Sequence, residues 1–268
     1  MNKTELVQFI HSQKSYLSVG LDPVMERMPS PINRTAQGIL DFCMRIIDAT
    51  APYCVAYKPN LAFFEALGVE GWEVFFETIR YIPKTHFVIA DAKRADIGNT
   101  SKAYAKAFFE KMNVDALTIA PYMGRDSVQP FLGFSNKWAV LLALTSNIGA
   151  DDFQFQVDRS NGKPLHQSVI ERASSWGSPE ELMFVVGATR PEHLQKIRQW
   201  VPDHFFLVPG VGAQGGSLEA VAKYGMNADV GLLVNSSRGI IYSSDGEDFE
   251  QAAADEAYAL QAQMAKTL

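Results

Sequence analysis

The chain contains only two cysteines, Cys43 and Cys54, among its 268 residues. It has no CxxC pair and no cluster of cysteine with histidine, which excludes a disulfide framework and a structural zinc site. We therefore expect both cysteines to be free, buried thiols in a reducing compartment. Long apolar runs are also absent, because the longest, such as Ala139–Leu144, are far shorter than the ~18 residues that cross a membrane.

Positive charge is scarce as well. The chain has 24 Lys and Arg against 30 Asp and Glu, a formal net charge of −6, whereas nucleic-acid-binding proteins carry a basic surface. The N-terminal segment MNKTELVQFIHSQKS lacks the apolar core of a signal peptide. These absences predict a cytoplasmic protein that binds neither membranes nor nucleic acids, although a local basic pocket for a small anion is compatible with them.

Short apolar runs alternate with amphipathic segments along the whole chain. The runs are nearly continuously apolar, as is typical of parallel strands that are covered on both faces. The predicted strands are Tyr16–Leu21, Tyr53–Tyr57, His86–Ala90, Ala116–Ile119, Trp138–Leu144, Leu182–Val186, His204–Val208 and Asp229–Val234. The predicted helices between and after them include Thr35–Ala49, Trp72–Tyr81, Ser101–Lys111, Pro191–Trp200 and Phe249–Met264.

Eight such strand–helix units predict an α/β fold, a (β/α)8 TIM barrel. An open doubly wound sheet is the alternative, but it usually carries GxGxxG after its first strand, where Gly20–Val24 reads GLDPV. An extra N-terminal helix near residues 3–14 is expected to close the barrel bottom. Because no linker divides the chain, we predict a single barrel domain over residues 1–268. The long polar connection 147–165 is typical of a lid or binding loop.

Charged residues are concentrated where the predicted strands end. Asp22 follows the first strand, Lys58 the second, and Asp91 and Lys93 the third, with Asp96 just beyond. Active sites of such barrels lie at the C-terminal ends of the strands, so we expect these side chains to share one site.

The spacing of Asp91 and Lys93 predicts an ion pair. Two residues apart on a regular strand, both side chains project to the same face, into the barrel mouth. Their attraction should keep Asp91 ionised and Lys93 protonated, ready to deliver a proton. An isolated pair could be purely structural, but four or five charges buried at one rim favour a catalytic role.

A second group of residues predicts a phosphate site. The glycine-rich segment Pro209–Gly216 follows the seventh strand, and Arg238 follows the eighth. Backbone N–H groups of such a turn can bind an anion, and an arginine can bind it bidentately. Phosphate sites of these barrels lie after strands seven and eight. The roles of Arg125 and His166 stay open.

The segment Asp91–Ala105 (DAKRADIGNTSKAYA) resembles the signature of the orotidine 5′-phosphate decarboxylase family, in its longer bacterial subgroup. Segments resembling the family occur in matching order along the whole chain, among them SVGLDP, YKPNLAFFE, APYMGRDS, LLALTSN and VNSSRGI. The resemblance implies decarboxylation of orotidine 5′-phosphate to uridine 5′-phosphate, the last step of pyrimidine nucleotide synthesis, with neither metal nor cofactor.

The resemblance also implies roles for individual residues. The family's catalytic lysines and aspartates correspond to Lys58, Asp91, Lys93 and Asp96, with Lys93 as the proton donor. The implied substrate contacts are Asp22 to the ribose, Ser146 to the pyrimidine edge, and Gln214 and Arg238, with Gly212 of the glycine-rich turn, to the phosphate. The implied assembly is a homodimer in which Asp96, Ile97 and Thr100 complete the partner's site.

Three alternatives stay open at the level of sequence. A related sugar-phosphate decarboxylase or aldolase would combine a similar DxKxxD motif with Mg²⁺, but it needs a carboxylate where this chain has Lys58. A Schiff-base aldolase needs a neutral lysine, whereas Lys93 lies between two aspartates. A non-catalytic sensor of a phosphate ligand would be expected to have lost part of the charged rim.

Overall fold

A computed structural model describes residues 1–188, 191–211 and 216–268, apart from the side chain of Pro191. Its eight strands run parallel and close into a barrel in chain order, with the last strand paired to the first. The predicted TIM barrel is therefore confirmed. The strands are β1 (Leu17–Leu21), β2 (Ala56–Pro59), β3 (Phe87–Arg94), β4 (Ala116–Ile119), β5 (Trp138–Leu144), β6 (Leu182–Val186), β7 (Phe206–Pro209) and β8 (Leu232–Ser236).

Helices connect the strands and pack around the barrel. They are α1 (Lys3–Gln13), α2 (Ala36–Thr50), α3 (Leu61–Glu65), α4 (Val69–Tyr81), α5 (Gly98–Ala105), α6 (Arg125–Val128), α7 (Ala150–Phe153), α8 (Leu165–Ala173), α9 (Pro191–Trp200), α10 (Leu218–Gly225), α11 (Arg238–Ile241) and α12 (Phe249–Met264). Helix α5 continues into a π-helical turn, Lys106–Lys111. In the part of the chain that the structure describes, no helix is long and apolar enough to span a bilayer.

The apolar runs become buried strands because both of their faces are covered. Every residue of β1, β2, β4 and β6 is buried, which explains why these segments are apolar except for Ser18, Lys58 and Thr118. Cys43 on α2 and Cys54 before β2 are free and buried, as predicted. Burial raises the pKa of both thiols to about 12, so neither is a reactive nucleophile.

Helix α1 closes the bottom of the barrel, as predicted. The Lys3 ammonium pairs with Asp229 at 2.9 Å just before β8, and the N-terminal ammonium pairs with Asp115 at 2.6 Å just before β4. Trp138, the first residue of β5, donates from its indole Nε1 to the carbonyl oxygen of Met1 at 3.0 Å. The N-terminal segment is thereby joined to the N-terminal ends of the strands, and the opposite end stays open.

Strands β2, β3 and β8 extend beyond their predicted ends. They run to Pro59 rather than Tyr57, to Arg94 rather than Ala90, and to Ser236 rather than Val234. The prediction ended each strand where its apolar run ended, but the polar residues beyond remain in the sheet. Asn235, for example, still pairs with β1 and β7. Lys58, Asp91 and Asn235 line the mouth of the barrel instead of marking turns.

His204 is a buried titratable group just before β7. It is 6% exposed, and its ring packs against Phe184. Burial, followed by the nearby charge of Arg198, lowers the pKa of His204 to about 4. Because this lies below the unfolded value of about 6.5, unfolding takes up a proton at acid pH. The contribution of His204 to stability is therefore lost as the pH falls from about 6.5 towards 4.

On acidification the free energy of unfolding should fall less in His204→Leu than in wild type, by up to about 3 kcal/mol. Urea unfolding at neutral pH and near pH 4 measures this loss. His11→Leu, at an exposed position, is the control and should lose as much stability on acidification as wild type. An acid loss in His204→Leu equal to that of wild type would contradict the prediction.

Candidate active site

The charged residues of β2 and β3 meet at the open end of the barrel. Asp91 is buried, and its two carboxylate oxygens accept hydrogen bonds from different lysines. Lys58 Nζ donates to Oδ2 at 2.7 Å, and Lys93 Nζ donates to Oδ1 at 2.6 Å. The Lys58 side chain is 7% exposed and that of Lys93 50% exposed. The predicted ion pair of Asp91 with Lys93 is confirmed, and Lys58 is a second partner of the same carboxylate.

The two ammonium groups fix the charge of this carboxylate. Burial acts to raise the pKa of Asp91, but the charges and hydrogen bonds of Lys58 and Lys93 hold it well below its usual range. Burial likewise acts to lower the pKa of Lys58, but Asp91 and Asp22 raise it above its ordinary value. At neutral pH the site therefore holds an ionised Asp91 beside a protonated Lys58.

Strand β3 departs from regular pairing at this point. Ala90 pairs with Leu117 and Arg94 with Ile119, so that the segment Asp91–Lys93 forms a bulge opposite β4. Lys93 has a left-handed backbone with φ of 46°, which is uncommon for a residue with a side chain. The expected alternation of a regular strand is therefore wrong here. The Asp91 and Lys93 side chains therefore meet within a bulge and not through the alternation of a regular strand.

Thr118, on β4 opposite the bulge, was not among the predicted site residues. Its hydroxyl Oγ1 lies 3.0 Å from Asp91 Oδ1 and accepts hydrogen bonds from the backbone N–H groups of Ala92 at 3.0 Å and Lys93 at 2.9 Å. This role is hard to predict from the sequence because Thr118 stands within the otherwise apolar strand Ala116–Ile119. The one indication in the sequence is that Thr118 carries the only polar side chain of this run.

A cavity of about 160 Å³ opens beside Asp91. Its polar lining includes Asp22, Lys58, Asn60, Asn235 and Arg238, from the ends of β1, β2 and β8. Asp22 Oδ1 is buried and has no hydrogen-bond partner among the described residues. An unpaired carboxylate oxygen at a cavity wall can accept a hydrogen bond from a bound hydroxyl group.

Arg238 stands at the start of α11, directly after β8. Ser18 on β1 donates to Asn235 Oδ1 at 3.3 Å, and Asn235 Nδ2 donates to Ser237 Oγ at 3.2 Å. A Cβ added to Gly20 would lie 1.8 Å from Ser237 Oγ, so only glycine permits this close approach. These contacts hold the start of α11 against β1, with the exposed Arg238 at the cavity wall.

Ser146 and the glycine-rich turn are located only in part. Ser146 follows β5 and lies against Gly187 after β6, where an added Cβ would come within 2.9 Å of Ser146 Cβ. Gly212 and Gln214 lie outside the described residues. The predicted phosphate turn is therefore described at its two ends alone.

Asp96, Ile97 and Thr100 are not brought into the cavity of their own chain. Asp96 Oδ1 accepts a hydrogen bond from the backbone N–H of Ile97 at 2.7 Å, and the Asp96 carbonyl accepts one from the Ser101 hydroxyl. The side chains of Ile97 and Thr100 are exposed. Within one chain, hydrogen bonds connect three of the four predicted catalytic residues: Lys58, Asp91 and Lys93.

Arg125 and His166, whose roles were open, lie apart from this cavity. Arg125 lines a separate cavity of about 740 Å³ together with Arg172 and Trp176. His166 is buried, and its Nδ1 donates to the carbonyl oxygen of Gln154 at 2.9 Å. Burial lowers the pKa of His166, so this histidine is neutral at neutral pH.

Similarity to known proteins identifies the family. Residues 15–253 match the model of the orotidine 5′-phosphate decarboxylase / HUMPS family. A Phocaeicola vulgatus protein named orotidine 5′-phosphate decarboxylase is 52% identical over 271 residues, which cover 100% of this chain and 99% of the relative. This chain belongs to the orotidine 5′-phosphate decarboxylase family. The resemblance stated from the sequence is confirmed.

Other members of the orotidine 5′-phosphate decarboxylase family agree over the same length. The Christiangramia forsetii protein of that name is 53% identical, with 100% of this chain and 99% of the relative covered. The solved structure of Leishmania donovani OMP decarboxylase is 38% identical with a TM-score of 0.83, covering 97% of this chain and 99% of that one. The shared barrel therefore extends over nearly the whole chain.

We predict that Asp91→Ala lowers the free energy of unfolding by about 3–5 kcal/mol, because it leaves the buried Lys58 ammonium without its partner. Lys93→Ala removes a half-exposed charge and should cost less than about 1 kcal/mol. Denaturant unfolding at neutral pH measures both. The double variant Lys58→Met/Asp91→Ala, which leaves no buried ammonium, is the control and should recover part of the loss. Equal losses in the two single variants would contradict this account.

Proposed function

We propose that this chain decarboxylates orotidine 5′-phosphate to uridine 5′-phosphate and CO₂, with Lys93 as the proton donor. The observation that carries the proposal is the buried Asp91 carboxylate held between the Lys58 and Lys93 ammonium groups. A reaction that builds negative charge on a carbon atom needs a positive group fixed beside it, and the Lys93 ammonium is such a group.

The chemistry follows from these charges. The bond between a ring carbon and the substrate carboxylate breaks, CO₂ leaves, and the electron pair of that bond stays on the ring carbon. The Lys93 ammonium stabilises this developing charge and then donates its proton to the same carbon, after which the neutral lysine regains a proton from water. Asp91 repels the carboxylate of the bound substrate, and this repulsion ends as CO₂ departs.

The remaining site residues suit the rest of the nucleotide. The unpaired Asp22 oxygen accepts a hydrogen bond from a ribose hydroxyl, and Ser146 contacts the pyrimidine edge. Arg238 binds the phosphate bidentately, and Gln214 and Gly212 complete the phosphate contacts in this proposal. Because the phosphate is remote from the reacting carbon, its binding energy serves to hold the ring against Lys93.

A related enzyme that uses Mg²⁺ with a DxKxxD motif is the alternative. Its metal would need a carboxylate at the C-terminal end of β2, but Lys58 stands there with its ammonium 2.7 Å from Asp91. Both Asp91 oxygens accept hydrogen bonds from ammonium groups, and this donor set does not suit a hard divalent cation, which binds oxygen ligands. We therefore propose a reaction that uses neither metal nor cofactor.

We also propose that two copies form a homodimer through the open end of the barrel, with Asp96, Ile97 and Thr100 completing the partner's site. Apolar side chains on the loops after β3, β4 and β5 support this arrangement: Ile97 is 49% exposed, Tyr122 93% and Ile148 92%. Because β3, β4 and β5 are adjacent in the barrel, these side chains lie on neighbouring loops, and exposed apolar side chains grouped in one region are typical of interaction surfaces. We also propose the cytoplasmic location that is expected from the sequence.

Lys93→Ala should lower kcat by at least about 10³-fold, because both charge stabilisation and the proton donor are lost. The disappearance of substrate absorbance with EDTA present measures this. Arg238→Ala is the matched comparison and should mainly raise KM, by about 10²-fold, since it removes a phosphate contact. Near-normal turnover in Lys93→Ala would refute its role, and wild-type activity that EDTA abolishes and Mg²⁺ restores would favour the metal-dependent alternative.

Mixing two inactive variants tests the shared site. If Asp96 reaches into the partner's site, then a mixed dimer of Lys93→Ala and Asp96→Ala chains holds one intact site. An equal mixture should then regain about a quarter of wild-type activity after subunit exchange. A mixture of Lys93→Ala with Lys58→Ala is the control and should regain none, because both residues serve the site of their own chain. No recovery in the first mixture would contradict the proposed assembly.

A further inference from the structure

We propose that Thr118 is a positioning residue for Lys93, because one hydroxyl group holds both the backbone of this lysine and the partner of its ammonium. The inference rests on the proposed role of Lys93 as proton donor. Thr118 lies on β4 and is 1% exposed, so its contacts are shielded from water.

The contacts use the whole hydrogen-bonding capacity of the hydroxyl group. A threonine hydroxyl has one hydrogen to donate and two lone pairs that accept. Both lone pairs are used by the backbone N–H groups of Ala92 and Lys93, at 3.0 and 2.9 Å. The single hydrogen then points to Asp91 Oδ1 at 3.0 Å, since the alternative acceptor, the Ala90 carbonyl oxygen, lies at 3.5 Å. The orientation of the hydroxyl group is thereby fixed.

On the backbone side, Thr118 substitutes for the missing strand pairing. The bulge of β3 takes the N–H groups of Ala92 and Lys93 out of register with β4, and these part-buried groups find their acceptor in the Thr118 hydroxyl instead. Two successive backbone N–H groups can point at one oxygen when the second of the two residues has a left-handed backbone. Lys93, which follows Ala92, has such a backbone with a φ of 46°. The hydroxyl therefore stabilises the unusual backbone from which the Lys93 side chain extends.

On the charged side, Thr118 and Lys93 bind the same carboxylate oxygen. Asp91 Oδ1 accepts from Lys93 Nζ at 2.6 Å and from the Thr118 hydroxyl, while Oδ2 is taken by Lys58. The hydroxyl resists rotation of the carboxylate and so keeps Oδ1 directed at the ammonium. Thr118 Oγ1 on β4 therefore holds Lys93 at both ends. It binds the backbone N–H of Lys93, and it binds the carboxylate that pairs with the Lys93 ammonium.

This arrangement predicts a specific kinetic defect. The proposed ribose and phosphate contacts follow β1, β7 and β8, with Asp22, Gln214 and Arg238 among them, and do not involve Thr118. Loss of the hydroxyl should therefore misplace the proton donor without weakening substrate binding. A displacement of about 1 Å at a reacting group lowers turnover about 10²-fold, so the loss should appear in kcat and not in KM.

The test compares Thr118→Val, which keeps the shape and loses the hydroxyl, with Thr118→Ser, which keeps the hydroxyl. We expect Thr118→Val to lower kcat about 10²-fold with KM within about twofold of wild type, and Thr118→Ser to stay within about threefold of wild type in kcat. Thr78→Val is the control for losing a buried threonine hydroxyl, since Thr78 bonds to the Val74 carbonyl oxygen on α4 at 2.8 Å, and its kcat should not change. Equal losses in the Val and Ser variants, or an equal loss in Thr78→Val, would overturn the proposal.

Amide hydrogen exchange separates positioning from general destabilisation. The Ala92 and Lys93 amides should exchange faster in Thr118→Val than in Thr118→Ser or Thr78→Val, and unchanged exchange in Thr118→Val would overturn the proposal. In the double variant Lys93→Ala/Thr118→Val, the valine should cost no further activity. Normal kcat in Thr118→Val beside an inactive Lys93→Ala overturns this inference alone, whereas near-normal turnover in Lys93→Ala overturns the proposed function itself.

Discussion

Asp91 is the group on which the open end of the barrel depends. A buried carboxylate is stable only when its charge is matched, and here one ammonium comes from the neighbouring strand and one from its own strand. The dependence is mutual, because the buried Lys58 keeps its charge through Asp91. The charge and the position of the three groups are therefore coupled. A site charged before the ligand binds needs little reorganisation when negative charge develops during a reaction.

The barrel makes this coupling possible by bringing distant residues to one rim. Lys58 and Asp91 are separated by 33 residues, yet they lie 2.7 Å apart because β2 and β3 are adjacent and parallel. The bottom of the barrel is closed by α1, and ion pairs of Lys3 and of the N-terminal ammonium join it to the N-terminal ends of the strands. The top instead contains irregular backbone, where β3 leaves regular pairing and Lys93 has a left-handed conformation. Strain of this kind persists only where neighbouring contacts hold it, and the Thr118 hydroxyl supplies three of them.

The barrel and the charged rim could be predicted from the sequence because they depend on local signals. Continuous apolar runs identify parallel strands, and the residue after each run falls at the rim, as Asp22 and Lys58 do. The bulge could not be predicted, because it depends on how β3 pairs with β4 and not on the residues of β3 alone. Thr118 was missed for the same reason, since its importance comes from the residues that lie opposite it.

The central claim is that the Lys93 ammonium lies against the carbon atom that loses CO₂. A crystal structure of the complex with uridine 5′-phosphate tests this most directly. We expect Lys93 Nζ within about 3–3.5 Å of the ring carbon that bears the carboxylate in the substrate, with Asp91 still bound to the same ammonium. An Nζ that points away from the ring, or a metal ion or a different side chain in that position, would rule out Lys93 as the proton donor.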